Sequence, residues 1–389
     1  MPVINSISNM KNEMQKWRQN LHTFPELGFE ENKTSDFIAE KLKEFGIEHF
    51  RDIAKTGIVG VIRGSKPGSG AIGLRADMDA LPMPEENNFK HASQNPGKMH
   101  ACGHDGHVTM LLGAAKYLSE TKNFSGTVYL IFQPAEEGLG GGRVMVEEGL
   151  FEKFPMQSVW GMHNWPGLDV GKAAVHFGTV MASSDNISIS ISGRGSHAAI
   201  PHLALDPVPV AASIINGLQH LVSRQTDPLK TAVLSITMLN AGTAFNVIPD
   251  VVEMSGTCRT MDEEDRNRLE NSIKKVSQNI AKGFGLKARV VYERGFPATV
   301  NTIKEAEQSV NVVEDVLGVN SASTKMPPSM VSEDFSYMLQ ERPGAYILLG
   351  AGHPGSGKML HNSKYDFNDD ILPMGASYWS RLVEMQLRK

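Results

Sequence analysis

Apolar residues along this chain fall into two rhythms. The segment "VTMLLGAAKYLSE" carries Met110, Leu111, Ala114, Ala115 and Leu118 at helical spacing and predicts a helix. "TSDFIAEKLKEFG" predicts another, closed by Gly46, and a helix is expected from the N-terminus to about His22. Between them "FPELGFEE" reads as a loop. Short continuous apolar runs, "GIVGVIRG", "AIGLRAD", "TVYLIF", "SVWGMH" and later "AYILLG", predict buried strands. Strands alternating with helices make an α/β layer, a mostly parallel sheet covered on both faces.

Near residue 183 the rhythm changes. "NISISISG" alternates strictly, as a half-exposed strand does, and "TAVLSITML", "VVEMSGTCRT" and "KARVVYER" predict three more strands. "DPVPVAASIINGLQHLVSR" is a helix whose prolines sit in its first turn. "DEEDRNRLENSIKKVSQNIAKGFG" is a second, acidic at its start and basic later, as the helix dipole favours. The order β-α-β-β-α-β is that of a ferredoxin-like unit. The expected organisation is a larger domain in two parts, 1–182 and 297–389, with a smaller domain inserted at 183–296. An exposed sheet edge there could pair with a second copy, though such edges are usually blunted instead.

The chain has 389 residues, 41% of them hydrophobic, more than one core usually holds. A net charge of -5 gives no basic excess for nucleic acid. No apolar run approaches the roughly 20 residues of a membrane-spanning helix, and no signal peptide is read at the start. Two distant cysteines, Cys102 and Cys258, are too few for a disulfide framework. The expectation is a cytoplasmic enzyme acting on a small molecule.

Several predicted strands end in polar residues that are costly to bury: Asp77 and Asp79, Glu136 and Glu137, and His163. Ligands of an open parallel sheet bind beyond the carboxyl ends of its strands, so these residues are expected to meet at one edge. The stretch "HACGHDGH", residues 100–107, adds Cys102 and His104 at metal-ligand spacing. His107 and Asp105 are assigned to the helix surface or to supporting the ligands, and His100 to structure. Of the adjacent Glu136 and Glu137, which point different ways, one binds metal and the other acts as a base. Cys102, His104, Glu137, His163 and His361 are too many for a closed tetrahedral zinc; they suit two metals sharing a bridge.

These residues sit in "LHTFPELGFEE", "RADMDALPM", "MHACGHDGHVTMLLGAA", "FQPAEEG", "GRGSHAAIPHLALDP", "FNVIPD", "SEDFSYML" and "LHN". With these motifs the chain resembles the M20 metallopeptidases, in particular the amidohydrolase branch with hippurate hydrolases, N-acyl-amino-acid amidohydrolases and indoleacetyl-amino-acid hydrolases. The resemblance implies a dinuclear site from Cys102, His104, Glu137, His163 and His361, with the cysteine bridging where most of the wider family has an aspartate. It implies that Glu136 is the general base, that His197 reaches a substrate carbonyl, often across a dimer interface, and that Asn246 meets the substrate carboxylate. Asp77 matches the family's supporting aspartate, although Arg75 stands where a histidine is usual. The implied activity is hydrolysis of N-acyl-L-amino acids by two divalent ions (Mn, Zn, Co or Ni). A peptidase or an N-acetyl-diamino acid deacetylase is the alternative on the same chemistry. A homodimer through the inserted domain is expected.

Two other readings fail on residues. "GHPGSGKM" nearly spells a phosphate-binding loop, but Met359 stands where a hydroxyl must reach magnesium and no helix is predicted after it. A serine hydrolase lacks its G-x-S-x-G. A metal-binding scaffold without catalysis would leave Glu136 dispensable.

Overall fold

Every residue of the strand Gly344–Gly350 is buried, as are the first seven of Ser158–Trp165. Such uninterrupted apolar runs belong to strands covered on both faces. The computed structural model describes residues 3–353, 355 and 358–388. It places these two strands at the centre of an eight-stranded sheet. The order is Glu48–Ile53, Gly57–Arg63, Ser125–Gln133, Lys66–Asp77, Ser158–Trp165, Gly344–Gly350, Ala173–Val175 and Ala322–Ser323. The four central strands, from Ser125–Gln133 to Gly344–Gly350, run parallel. Antiparallel pairs flank them.

The helix His104–Thr121 packs against Lys11–Thr23 and Leu372–Gln386. It begins four residues earlier than the apolar rhythm at Val108 suggests. Gly103, at φ 97, turns the chain into it, and Asp105 lies in its first turn, where the dipole favours an acid. His104 is therefore the first helical residue, at the carboxyl edge of the sheet.

By compactness the chain forms two units. The first comprises Met1–Val180, Val300–Pro327 and Asp334–Lys389, and the second Met181–Thr299 with Pro328–Glu333. In the second, Asp185–Ser192, Ala232–Ala241, Val251–Thr260 and Lys287–Arg294 form an antiparallel sheet. Ile187, Ile189 and Ile191 face inward against the helices Pro207–Gln225 and Glu263–Gly283. Asp206 and Asp262 cap these helices, accepting from Val208 and Asp265 N–H. Beneath them Arg266 pairs with Asp185 at 2.6 Å in a buried ion pair. Among the described residues no helix is long and apolar enough to cross a membrane.

The phosphate-loop-like stretch includes Pro354, Ser356 and Gly357, which lie outside the described residues. After it the chain runs as turns and loop until a short turn at Asp369–Ile371 and the helix at Leu372.

Candidate metal centre

Two parallel strands, one helix N-terminus and a C-terminal loop bring the predicted ligands together. Cys102 and His104 flank Gly103. His163 lies on Ser158–Trp165, and Glu136 and Glu137 follow Ser125–Gln133. His361 returns from the C-terminal loop with a left-handed φ of 61. Ligand atoms of Cys102, His104 and His163 lie within 4.8 Å of one another, and so do those of Cys102, Glu137 and His361. Cys102 Sγ is 3.3 Å from His163 Nε2, and Glu137 Oε1 is 3.2 Å from His361 Nε2. Cys102 thus belongs to both groups. Glu136 falls within the same distance of His104 and Glu137 and is 7% exposed, so it stands beside the cluster with little water around it.

Whether these donors fit a metal is decided by what they lack. Among the described residues His104 Nε2 is buried without a hydrogen-bond partner, and Glu137 Oε1 likewise has none despite its nearness to His361. Buried polar atoms are rarely left so. Burial, and then the carboxylates of Glu137 and Glu136, push the Cys102 thiol well above its usual pKa. A cation reverses that balance, since a thiolate ligand is stabilised by the charge it binds. Sulfur, imidazole and carboxylate donors together suit a divalent transition metal.

The supporting residues fix each ligand's direction. His104 Nδ1 lies 2.9 Å from the Asp79 carbonyl and 3.1 Å from its carboxylate, which leaves Nε2 to face the site. Burial opposes charge on His104, but Asp77 and Asp79 outweigh it and raise its pKa to about 10. Asp79 also accepts the Glu137 N–H at 3.0 Å, so one carboxylate orients two candidate ligands. His163 Nδ1 bonds the Asn164 carbonyl at 2.7 Å. Burial and the neighbouring His107 hold the His163 pKa well below its usual value, so the ring is neutral and able to ligate.

His107 is not on the helix surface, one of the two places expected for it. It is buried, with Nδ1 2.6 Å from Asp77 and Nε2 2.7 Å from the Asn164 side chain. The Asn164 amide in turn donates to the Tyr365 hydroxyl at 2.7 Å. Asp105 is buried and bonds His22 Nδ1 at 2.7 Å. His100 is buried, and among the described residues neither of its ring nitrogens has a hydrogen-bond partner.

Arg75, where the resemblance implies a histidine, makes a buried network of its own. Its guanidinium donates to Asp77 at 2.6 Å, to Gln133 at 2.9 Å and to Asp334 at 3.0 Å, all buried. Burial alone would raise the Asp77 pKa, but Arg75 and then His104 and His107 hold it well below the usual range. The "SEDF" motif thereby gains a purpose, because its Asp334 holds Arg75.

In the second unit His197 pairs with Val247 in a two-residue ribbon, and Ala198 N–H donates to the Asn246 carbonyl at 3.0 Å. His197 and Asn246 are thus brought side by side, both exposed. His197 Nδ1 accepts from Ala199 N–H at 3.0 Å, which places the proton of the neutral ring on Nε2 as an outward donor.

Asp79, Asn164, Tyr365 and Asp334 were not singled out as supports from the sequence. The available signal was polarity in apolar surroundings: Asn164 closes the run "SVWGMH", and Asp79 follows a buried strand.

Gly103 gives a direct test of this packing. Beyond its left-handed φ, an added Cβ would stand 2.3 Å from Asn164 Oδ1 and 2.8 Å from the Tyr365 hydroxyl. The left-handed conformation alone costs a residue with a Cβ about 1–2 kcal/mol. Gly103→Ala is expected to lower the Tm and to weaken metal binding together, measured by thermal denaturation and metal titration. An unchanged Tm would contradict the packing described.

A parallel sheet with thiol, imidazole and carboxylate donors gathered at its carboxyl edge suits a metal centre. The chain belongs to peptidase family M20/M25/M40, whose model matches residues 73–385. It is 42% identical over 388 residues to a hippurate hydrolase of Campylobacter jejuni, covering all of both chains. It is also 42% identical over 382 residues to an IAA-amino acid hydrolase of Arabidopsis thaliana, covering 97% of this chain and 85% of that one. A crystal structure of a dinuclear metal-binding M20 peptidase from Bacillus subtilis superimposes with a TM-score of 0.86. That protein is 32% identical, with 98% of this chain and 99% of the other covered.

Proposed function

We infer that this protein hydrolyses the amide bond of N-acyl-L-amino acids, releasing a carboxylic acid and a free amino acid. Cys102, His104, Glu137, His163 and His361 would hold two divalent cations, Cys102 being the donor common to the two groups. The observation that carries this reading is the membership of Cys102 in two separate donor groups. When bound, the cations would lower the pKa of a shared water and polarise the substrate carbonyl.

The protein's own residues move the protons. Glu136, nearly buried beside His104 and Glu137, takes the proton from the attacking water and returns it to the leaving amine. His197, with its outward Nε2–H, donates to the carbonyl oxygen as negative charge develops there. Asn246 holds the substrate carboxylate, which selects a terminal amino acid over an internal peptide bond. Asp77, through His107, and Asp79, through His104, keep the ligands in place; Asp105 anchors the start of their helix through His22.

The second unit acts as lid and dimerisation domain. Its edge strand Ala232–Ala241, with exposed Met238 and Leu239, suits pairing with a second copy. The protein works in the cytoplasm on a small molecule, and Mn, Zn, Co and Ni all suit a site that mixes soft and hard donors.

A panel of N-benzoyl-, N-acetyl- and indoleacetyl-amino acids, with dipeptides and N-acetyl-diamino acids, tests the proposal against each added metal. Hydrolysis of the acyl amino acids should vanish with chelator and return with metal. Activity indifferent to chelator would refute it.

A further inference from the structure

The segment "FPELGFEE", residues 24–31, has no part in the chemistry above, yet it lies directly against the turn that presents Glu136. Glu31 is fully buried. Its Oε1 accepts the Ala135 N–H at 2.9 Å and its Oε2 accepts the Thr56 hydroxyl at 2.6 Å. Ala135, one residue before Glu136, is held at φ 56, a left-handed backbone that an alanine rarely adopts.

Three glycines close on the same place. A Cβ on Gly28 would stand 2.9 Å from Ala135 Cα, one on Gly57 3.0 Å from Pro134 Cδ, and one on Gly141 1.8 Å from the Pro134 carbonyl oxygen. Gly141 N–H also donates to the Ala135 carbonyl at 2.9 Å. The same N-terminal segment reaches the neighbouring strand end, where the Glu26 carbonyl accepts from Ala80 N–H at 2.9 Å. Backbone strain of this kind persists only where its surroundings over-determine it. Burying a carboxyl is itself costly, and burial lifts that of Glu31 to about 7, with Asp79 adding to the effect and the hydrogen bonds opposing it. The buried carboxyl is placed to hold one backbone N–H of the turn.

We propose that Glu31 is a positioning residue for the general base, fixing Ala135 so that the Glu136 carboxylate is aimed at the site. The proposal rests on the reading of Glu136 as that base. A misplacement of about 1 Å in a catalytic group can cost roughly 10²-fold in rate, so the effect belongs in kcat.

The test compares Glu31→Ala, Glu31→Gln, Gly28→Ala and Glu136→Gln in the full-length, metal-loaded protein with N-benzoylglycine as substrate. Each variant is measured for kcat, KM and metal content. Glu31→Ala should lose about 10–100-fold in kcat, with KM and metal content close to wild type. Glu31→Gln should recover most of that loss. Its amide oxygen still accepts from Ala135, and its NH₂ can donate to the Thr56 hydroxyl. Gly28→Ala should lower kcat as well by pressing on Ala135 from the other side, without removing a buried polar group. Wild-type kcat in Glu31→Ala, a loss as deep in Glu31→Gln, or a loss that follows metal content would each overturn the proposal. If Glu31→Ala does not fold, wild-type kcat in Gly28→Ala overturns it. A dead Glu136→Gln beside a fully active Glu31→Ala rejects only the positioning role, whereas an active Glu136→Gln rejects the base itself.

Discussion

Replacing Glu136 by glutamine should leave metal content unchanged and lower kcat by about 10²–10⁴-fold, the range over which a positioned acid or base contributes. The substitution preserves size, so the site stays filled. It removes only the capacity to take a proton from water and return it to the amine. Glu136 is the carboxylate that sits beside the cluster without being needed to complete either donor group with Cys102. KM should move little, because the loss falls on the transition state and not on substrate binding. Metal analysis and steady-state kinetics on the same preparation check this. Turnover near wild type would show that the proton moves by another group.

The second large effect is at Cys102. Cys102→Ala removes the one donor common to both groups and should reduce binding of both cations. The loss should exceed the roughly 10–100-fold that removal of an outer partner costs a metal site. Without metal, burial and then Glu137 and Glu136 keep the thiol neutral, so Cys102→Ala removes no charge and the metal-free variant need not be less stable than the metal-free parent. Cys102→Asp separates charge from softness. A carboxylate can still bridge, but it is a harder donor, so binding should recover with preference shifted from zinc toward manganese. Metal titrations of the three proteins read this directly. Independent loss of a single cation in Cys102→Ala would assign the cysteine to one metal only.

Much of the frame was legible because buried parallel strands and amphipathic helices write opposite rhythms. "SVWGMH" and "AYILLG" could only be covered on both faces, and the isoleucines of "NISISISG" could only line one. The strand Glu48–Ile53 carries no such signal: it lies at the sheet edge with only Ile53 buried, so its residues obey solvent rather than packing. Ala173–Val175 and Ala322–Ser323 are too short to establish a period.

The site divides in the same way. Cys102 and His104 announce themselves by spacing, and the paired glutamates by their mutual repulsion. His163 and His361 are single histidines, and only the fold shows that one faces Cys102 and the other Glu137. The supports were hidden for a related reason. Glu31, Asp79, Asn164 and Asp334 act through backbone groups or through side chains distant in sequence; polarity beside apolar runs marked Asp79 and Asn164, but only the fold shows what each holds. Arg75 was legible as a departure from the family, but its meaning required Asp77, Gln133 and Asp334 to be seen around it.

Donors spread from residue 102 to residue 361 would hold two cations, with Cys102 common to both groups. X-ray absorption at the metal edge, joined to metal quantification on the purified chain, tests this most directly. The account predicts two ions per chain, a sulfur neighbour at about 2.3 Å if the metal is zinc, and a metal–metal distance of about 3.5–4 Å. A single ion per chain, or a first shell of nitrogen and oxygen alone, would contradict it.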